Sequence, residues 1–372
     1  MTGLDPTLRA LRETVAEAVP DLRARALAVD ADPTALAPHL DAPGLDLVRS
    51  VTTPKRYRGR LAPTPADAYA TESCLARVVG TVELARGDAA MLTASPGPSL
   101  AGVAVDTLGS EEQQDHFYDT IGDGRTWTFF AMTEPGLGSD ATMLSARLER
   151  DPDGGYRLYG TKRYISNGTR GRIGAVFART GPSPLAIRAV LVHTPADGFT
   201  SRALELTALR GARLSELRFD GVRVPEEMVL GSHLKLSRRG IWGAMRTFNY
   251  MRVHIGALAV GTALAITECV RELRPRLTAA QVPTARLLAA RQLVYDAAAS
   301  VDEHPDDQRL PSMAKLNATR LAVATAHWAA GALGPAGLLE HPLLEKWSRD
   351  VYGFEFMDGT SNIQRLQIAR DL

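Results

Sequence analysis

The stretch Phe129–Asp140, FFAMTEPGLGSD, carries the residue types best suited to holding a ligand. It leaves an apolar run, Trp127 to Met132, that reads as a buried strand. It then breaks into Thr133-Glu134-Pro135-Gly136, a turn, and continues through Gly138, Ser139 and Asp140. Glycines let a backbone approach a bound molecule closely, and successive N–H groups beside Ser or Thr hydroxyls suit an anionic or carbonyl-rich partner. Composition alone favours a plainer reading, a strand followed by a Gly/Pro loop. The eight histidines are scattered with none paired at i, i+3 or i+4, so no metal site is expected. Cys74 and Cys269 lie far apart and suggest neither a disulfide framework nor a metal knuckle.

The elements around this stretch change period twice. From Leu8 to about Leu47 the pattern is helical, cut by Pro20, Pro33, Pro38 and Pro43. Val51–Pro65 reads as a basic connector, and a long helix is expected over about Asp67–Arg86. The loop Ala94–Ser99 precedes another helical piece to Thr107, and Gly109 and Ser110 supply a stop and a cap before the next helix. That helix opens on the charged run Glu111–Asp115, a solvated face. After Thr126, β-rich runs alternate with turn clusters such as Asp151–Gly155, Ser166-Asn167-Gly168 and Pro195–Gly198, as in a small antiparallel barrel or sandwich. From Leu234 the pattern returns to long Ala- and Leu-rich helices. The expected fold is α+β and multidomain: an N-terminal helical domain (1–126), a central β-domain (127–233) and a C-terminal four-helix bundle (234–372).

Length and charge narrow the class. A chain of 372 residues exceeds one ordinary core. The formal net charge is +1, which gives no electrostatic footprint for nucleic acid or a membrane surface. No secretory signal is visible at Met1–Asp5 and no uninterrupted apolar run reaches spanning length, so a soluble, cytoplasmic protein is expected.

Four segments in order resemble the acyl-CoA dehydrogenase family. They are TEPGLGSD (133–140), Gly160–Gly168, the run from Arg210 through Glu216–Pro225 to Gly231, and Arg349-Asp350 followed by Asp358–Gln364. The resemblance implies FAD. Phe130, Met132, Thr133, Gly138 and Ser139 would line the flavin, with the Thr133 and Ser139 hydroxyls bonding the isoalloxazine ring and a phosphate oxygen. Tyr164 stands where the family usually has a tryptophan against the ring, with Ser166 in a contact position. Thr360 and Asn362 fall where the family encloses the adenine half. A strand aromatic in a sheet core is the ordinary alternative for Tyr164.

The family's reaction removes an α-proton from an acyl thioester while flavin takes a hydride from the β-carbon. Its base, usually a glutamate just before Gly-Thr in the last segment, is here Asp358; burial beside flavin and substrate would raise its pKa toward the working range. The alternative family position for the base, just before Arg252, holds Met251. A helix-capping role is the ordinary alternative for Asp358. Ser99 lies where relatives place residues near the acyl chain, a position a plain interhelical loop also explains, and Ser99 and Arg252 are the expected substrate contacts.

Two departures stand out. The family's Arg-x-x-Phe-Gly stretch is absent from 271–278, and its downstream double glycine reads Gly334-Pro335-Ala336-Gly337. The expected function is therefore an atypical FAD-dependent oxidoreductase of an acyl thioester carried by CoA or an acyl carrier protein, possible in polyketide or peptide extender-unit biosynthesis. The alternatives are a flavin oxidase of a small carbon acid, nitroalkane-oxidase-like, and a non-redox binding member. The electron acceptor stays open, and a homodimer or homotetramer is implied.

Overall fold

The computed structural model describes residues 4–69, 72–136, 138–278 and 281–370; Leu137 of the loop motif and the terminal residues lie outside the described residues. The chain opens with α1 (Pro6–Ala16), α2 (Val19–Ala31), α3 (Pro43–Thr52) and a short α4 (Lys55–Arg58) inside the basic connector. The long helix α5 spans Cys74–Ala94, later than the sequence pattern suggests. Asp67 belongs instead to a 3-10 turn, and Ser73 supplies the cap by accepting the Ala76 amide. The helix survives past Arg86 because Asp88, with extended backbone, accepts the Met91 amide at 2.8 Å and so recaps the second half. Helix α6 (Ser99–Leu108) follows, then α7 (Glu111–Thr120), whose Ser110–Gln113 capping box is the start expected from sequence.

The strands are β1 (Thr128–Ala131), β2 (Arg147–Arg150), β3 (Tyr156–Ile165), β4 (Ile173–Arg179), β5 (Ile187–His193), β6 (Phe199–Ala203), β7 (Ser215–Val224) and β8 (Val229–Leu230). They form one sheet in the order β6-β7-β3-β2-β4-β5-β8, with β1 pairing β4. Most pairings are antiparallel, but β1 and β2 both run parallel to β4. Gly174 admits this packing, since a Cβ there would lie 2.3 Å from the Phe129 ring. One sheet face packs on α6, α7 and the start of the next helix, and the other encloses Phe129, Val176, Val190 and Phe219.

The remaining helices are α8 (Gly240–Leu273), α9 (Gln281–Glu303), α10 (Arg309–Leu333), α11 (Pro335–Glu340), α12 (Pro342–Phe356) and α13 (Ser361–Ala369). The segment 236–273 is long and apolar enough to cross a membrane by composition, yet 83% of its most apolar window is buried inside the protein. Its apolar surface is spent on neighbours, and α8 is a core helix. It crosses α5 so closely at Gly261 that a Cβ would lie 2.4 Å from the Val82 carbonyl oxygen. The N-terminal and C-terminal helices thereby share one hydrophobic core.

Candidate active site

Two groups of expected site residues form, one on the sheet and one on the helices. The sheet group begins at β1. Thr128 Oγ1 donates to the Gly97 and Pro98 carbonyls, and Trp127 Nε1 donates to Ala94 O at 2.8 Å, so the α5–α6 loop is stapled to this strand. Ser99 sits here, exposed, with its hydroxyl 3.0 Å from Thr128 Oγ1. Phe130 points toward α8 and meets Phe248, with ring centroids 5.9 Å apart.

Beyond β1 the chain is held by a residue the sequence reading passed over. Glu134, 3% exposed, accepts the Ser145 and Ala146 amides and the Ser145 hydroxyl, and pairs with the fully buried Lys162 at 2.8 Å. Lys162 Nζ also donates to Met132 O at 3.0 Å. Burial alone would raise the Glu134 pKa, but Lys162 and Ser145 outweigh it and hold the carboxyl below its ordinary value. Burial lowers Lys162 to about 8 against the pull of Glu134. The pair fixes both ends of the site loop: Met132 and Glu134 on one side, β3 on the other.

Strand β3 then bulges. Its register with β7 slips between Lys162 and Ile165, and Tyr164 takes a left-handed backbone (φ +63°). A bulge re-aims a side chain, and Tyr164 ends 54% exposed with Arg163 over its ring. The Arg163 amide donates to Thr133 O at 2.9 Å, which brings the loop and the bulge side by side. The hydroxyls of Thr133, Ser139 and Ser166 make no hydrogen bond to another described residue, and Gly138 and Ser139 are exposed. A half-exposed aromatic ring beside free hydroxyls and a glycine loop fits a planar heteroaromatic ring with a phosphate tail, as in FAD.

The helical group centres on Asp358. Helix α12 ends at Phe356, and Asp358 and Gly359 follow in left-handed backbone (φ +51° and +98°). Asp tolerates that region because its short side chain strains it least among charged residues. Gln364, fully buried, donates to Asp358 O at 3.2 Å and Gly359 O at 2.9 Å. Glu355 caps α13 by accepting the Ser361 amide and hydroxyl. The Asp358 and Gly359 carbonyls are thus taken, while the Asp358 Oδ2 is buried with no hydrogen-bond partner. Asp358 caps nothing. Burial pushes its pKa up to about 6, and the charges of Lys315 and Arg252 pull the other way.

Arg252, 2% exposed, donates to Asn249 Oδ1 at 3.0 Å and leaves its Nε without a partner. Burial lowers its pKa to about 10 while the nearby Asp358 raises it. Thr360 is the N-cap residue of α13, and Asn362 accepts from Arg365. Among the described residues no hydrogen bond joins this group to the sheet group. The Arg349-Asp350 pair is structural: Arg349 bonds Asp30 at 2.8 Å, and Asp350 accepts the Leu209 amide while pairing with Lys346.

Comparison with known proteins identifies the family. Residues 129–222 match the acyl-CoA dehydrogenase middle domain, and residues 238–372 match the acyl-CoA dehydrogenase C-terminal domain. The short-chain specific acyl-CoA dehydrogenase of Rattus norvegicus mitochondria is 30% identical over 316 residues, 80% of this chain and 76% of the relative. The butyryl-CoA dehydrogenase of Megasphaera elsdenii superposes with a TM-score of 0.87 at 23% identity, covering 100% of this chain and 99% of that one. The prolyl acyl carrier protein oxidase AnaB gives 0.85 at 22% identity, covering 99% of each chain. With its loop motif, its bulged strand and its matched middle and C-terminal domains, the chain belongs to the acyl-CoA dehydrogenase family.

Proposed function

We propose that this FAD-dependent, acyl-CoA dehydrogenase-like oxidoreductase oxidises an acyl thioester with Asp358 as the general base. The observation that carries the reading is the bare Asp358 Oδ2, buried and unpartnered in a turn whose Asp358 and Gly359 carbonyls are taken by Gln364. A carboxylate whose pKa burial raises to about 6 is ionised at neutral pH and takes up a proton at little cost. FAD, when bound, would supply the acceptor for the hydride from the β-carbon. The chain supplies the rest. Thr133, Gly138 and Ser139 offer hydroxyls and amides to the ring and its phosphates, Tyr164 offers a face to the ring, and Asp358 takes the α-proton. Arg252 keeps positive charge beside the carboxylate and disfavours its premature protonation.

The aspartate, one methylene shorter than the family's usual glutamate, supports a substrate seated closer to α12 than in fatty-acid oxidation. A short acyl or aminoacyl unit on a carrier protein, formed for biosynthesis, suits that depth. The same aspartate favours a second reading, oxidation of a small carbon acid such as a nitroalkane. Purified protein is expected to show a flavin spectrum that bleaches anaerobically with acyl thioesters. Bleaching by a nitroalkane but by no CoA or carrier thioester would select the second reading, and protein that binds no FAD would overturn both. Reoxidation by air or only by an electron-transfer dye then separates oxidase from dehydrogenase.

A further inference from the structure

Lys315 is the buried cation that the proposed chemistry leaves without a task. It lies on α10, 43 positions before Asp358 in the sequence, and is 1% exposed. No carboxylate bonds it. Its Nζ donates instead to two backbone carbonyls, a short bond to Gly359 O and a longer one to Glu355 O at 3.4 Å. Those carbonyls bracket Asp358: Glu355 O belongs to the last turn of α12, where helical carbonyls lack partners and a cation is favoured, and Gly359 O closes the left-handed turn. Gln364 holds the same turn from the other side with a neutral amide. A buried ammonium is costly unless paired or used; two carbonyls alone are a modest return when a leucine and a water would serve a purely structural turn.

We propose, resting on the reading of Asp358 as the base, that Lys315 is a positioning residue for it: its ammonium clamps the 355–359 turn so that the carboxylate points away from the protein's own donors, and it supplies the counter-charge that keeps that carboxylate ionised without bonding it. The division of labour is geometric. Gln364 and Lys315 take the carbonyls, and nothing takes the Asp358 Oδ2. The charged groups around the carboxylate are Lys315 from α10, Arg252 from α8 and Glu355 from α12, whose own carboxylate is committed to Ser361. Of the two cations Lys315 exerts the larger effect on Asp358. Burial lowers Lys315 itself to about 8, which leaves it charged through the neutral range.

The test uses flavin-loaded full-length protein and two substitutions, Lys315→Met and Lys315→Arg. The first readout needs no turnover: an infrared titration of the carboxyl band that is missing in Asp358→Asn. The second is the pH profile of substrate-driven flavin reduction. Lys315→Met is expected to keep its flavin and bind substrate within a few-fold of wild type. Its carboxyl titration and the acid limb of its reduction rate should both move up by one pH unit or more, a tenfold loss of rate on that limb. Lys315→Arg should leave both within half a unit. A Met variant with an unmoved titration and a rate within twofold of wild type would overturn the proposal. So would an Arg variant displaced by a unit, whether or not the Met variant yields soluble protein, because packing and not charge would then be the cause. Loss of the base reading is seen separately, as undiminished flavin reduction in Asp358→Asn.

Discussion

Glu134 and Lys162 form a fully enclosed ion pair, 2.8 Å from Oε1 to Nζ, that joins the loop after β1 to the bulged end of β3. Glu134 also accepts from Ser145 and Ala146, and Lys162 also donates to Met132 O. The pair lies buried between the loop and β3. Removing one partner strands the other. Lys162→Met is expected to cost about 3–5 kcal/mol of stability and to lower the flavin-to-protein absorbance ratio, because Thr133 and Tyr164 lose their common anchor. Urea denaturation with the visible spectrum checks both. Loss of stability without loss of flavin would confine the pair to the fold.

The raised Asp358 pKa makes a stability prediction of defined sign. The folded value of about 6 lies above the ordinary 3.8. The folded state therefore holds this proton more tightly than the unfolded state. The group's stabilising contribution is full below the unfolded value and is lost as pH rises through the folded one. Above about pH 6 the ionised carboxylate is a liability, and Asp358→Asn should be more stable than wild type by on the order of 2 kcal/mol. At pH 3 the difference should vanish. Thermal melts at the two pH values measure it.

Much of this was legible in the sequence, for identifiable reasons. The segments 133–140 and 160–168 are short and contiguous, and their resemblance to a family, not their composition, is what marked them. The Ser110 cap is local in the same way. What the sequence hid is contact across long separations. Nothing in the period of α10 distinguishes Lys315 from a surface lysine, and nothing in β3 marks Lys162 as buried, since an ion pair has no periodicity. The parallel pairings of β4 were hidden by strands too short to carry a clear alternation. The start of α5 was misjudged because Asp67 mimics a helix start while the actual cap, Ser73, lies six residues on.

Lengthening the Asp358 side chain should harm the reaction. Asp358→Glu keeps the charge but places a longer side chain on a left-handed residue and moves the carboxylate by one methylene. Small misplacements of a reacting group are expensive. Flavin reduction is expected to slow by about tenfold to a hundredfold, with substrate affinity little changed. A Glu variant as fast as wild type would show that the turn does not set the reach of the base.

Exposed apolar side chains on the C-terminal helices carry the expectation of self-association. Leu339 is 83% exposed, Phe356 74% and Leu366 60%, on or beside α11, α12 and α13. Large apolar residues left this open are candidates for a subunit interface. Light scattering at micromolar concentration should report a dimer or tetramer, and Phe356→Glu should shift it toward monomer. A wild-type monomer would contradict this.

The central claim is that Asp358 removes the substrate's proton. Anaerobic rapid mixing of flavin-loaded protein with acyl thioesters tests it most directly, comparing wild type with Asp358→Asn across pH 5 to 8. Wild-type flavin reduction should fall as pH drops through about 6, the range in which Asp358 takes up its proton. The Asn variant should retain flavin, bind the thioester and reduce its flavin at least about a hundredfold more slowly. An Asn variant that bleaches at nearly the wild-type rate would remove Asp358 from the reaction.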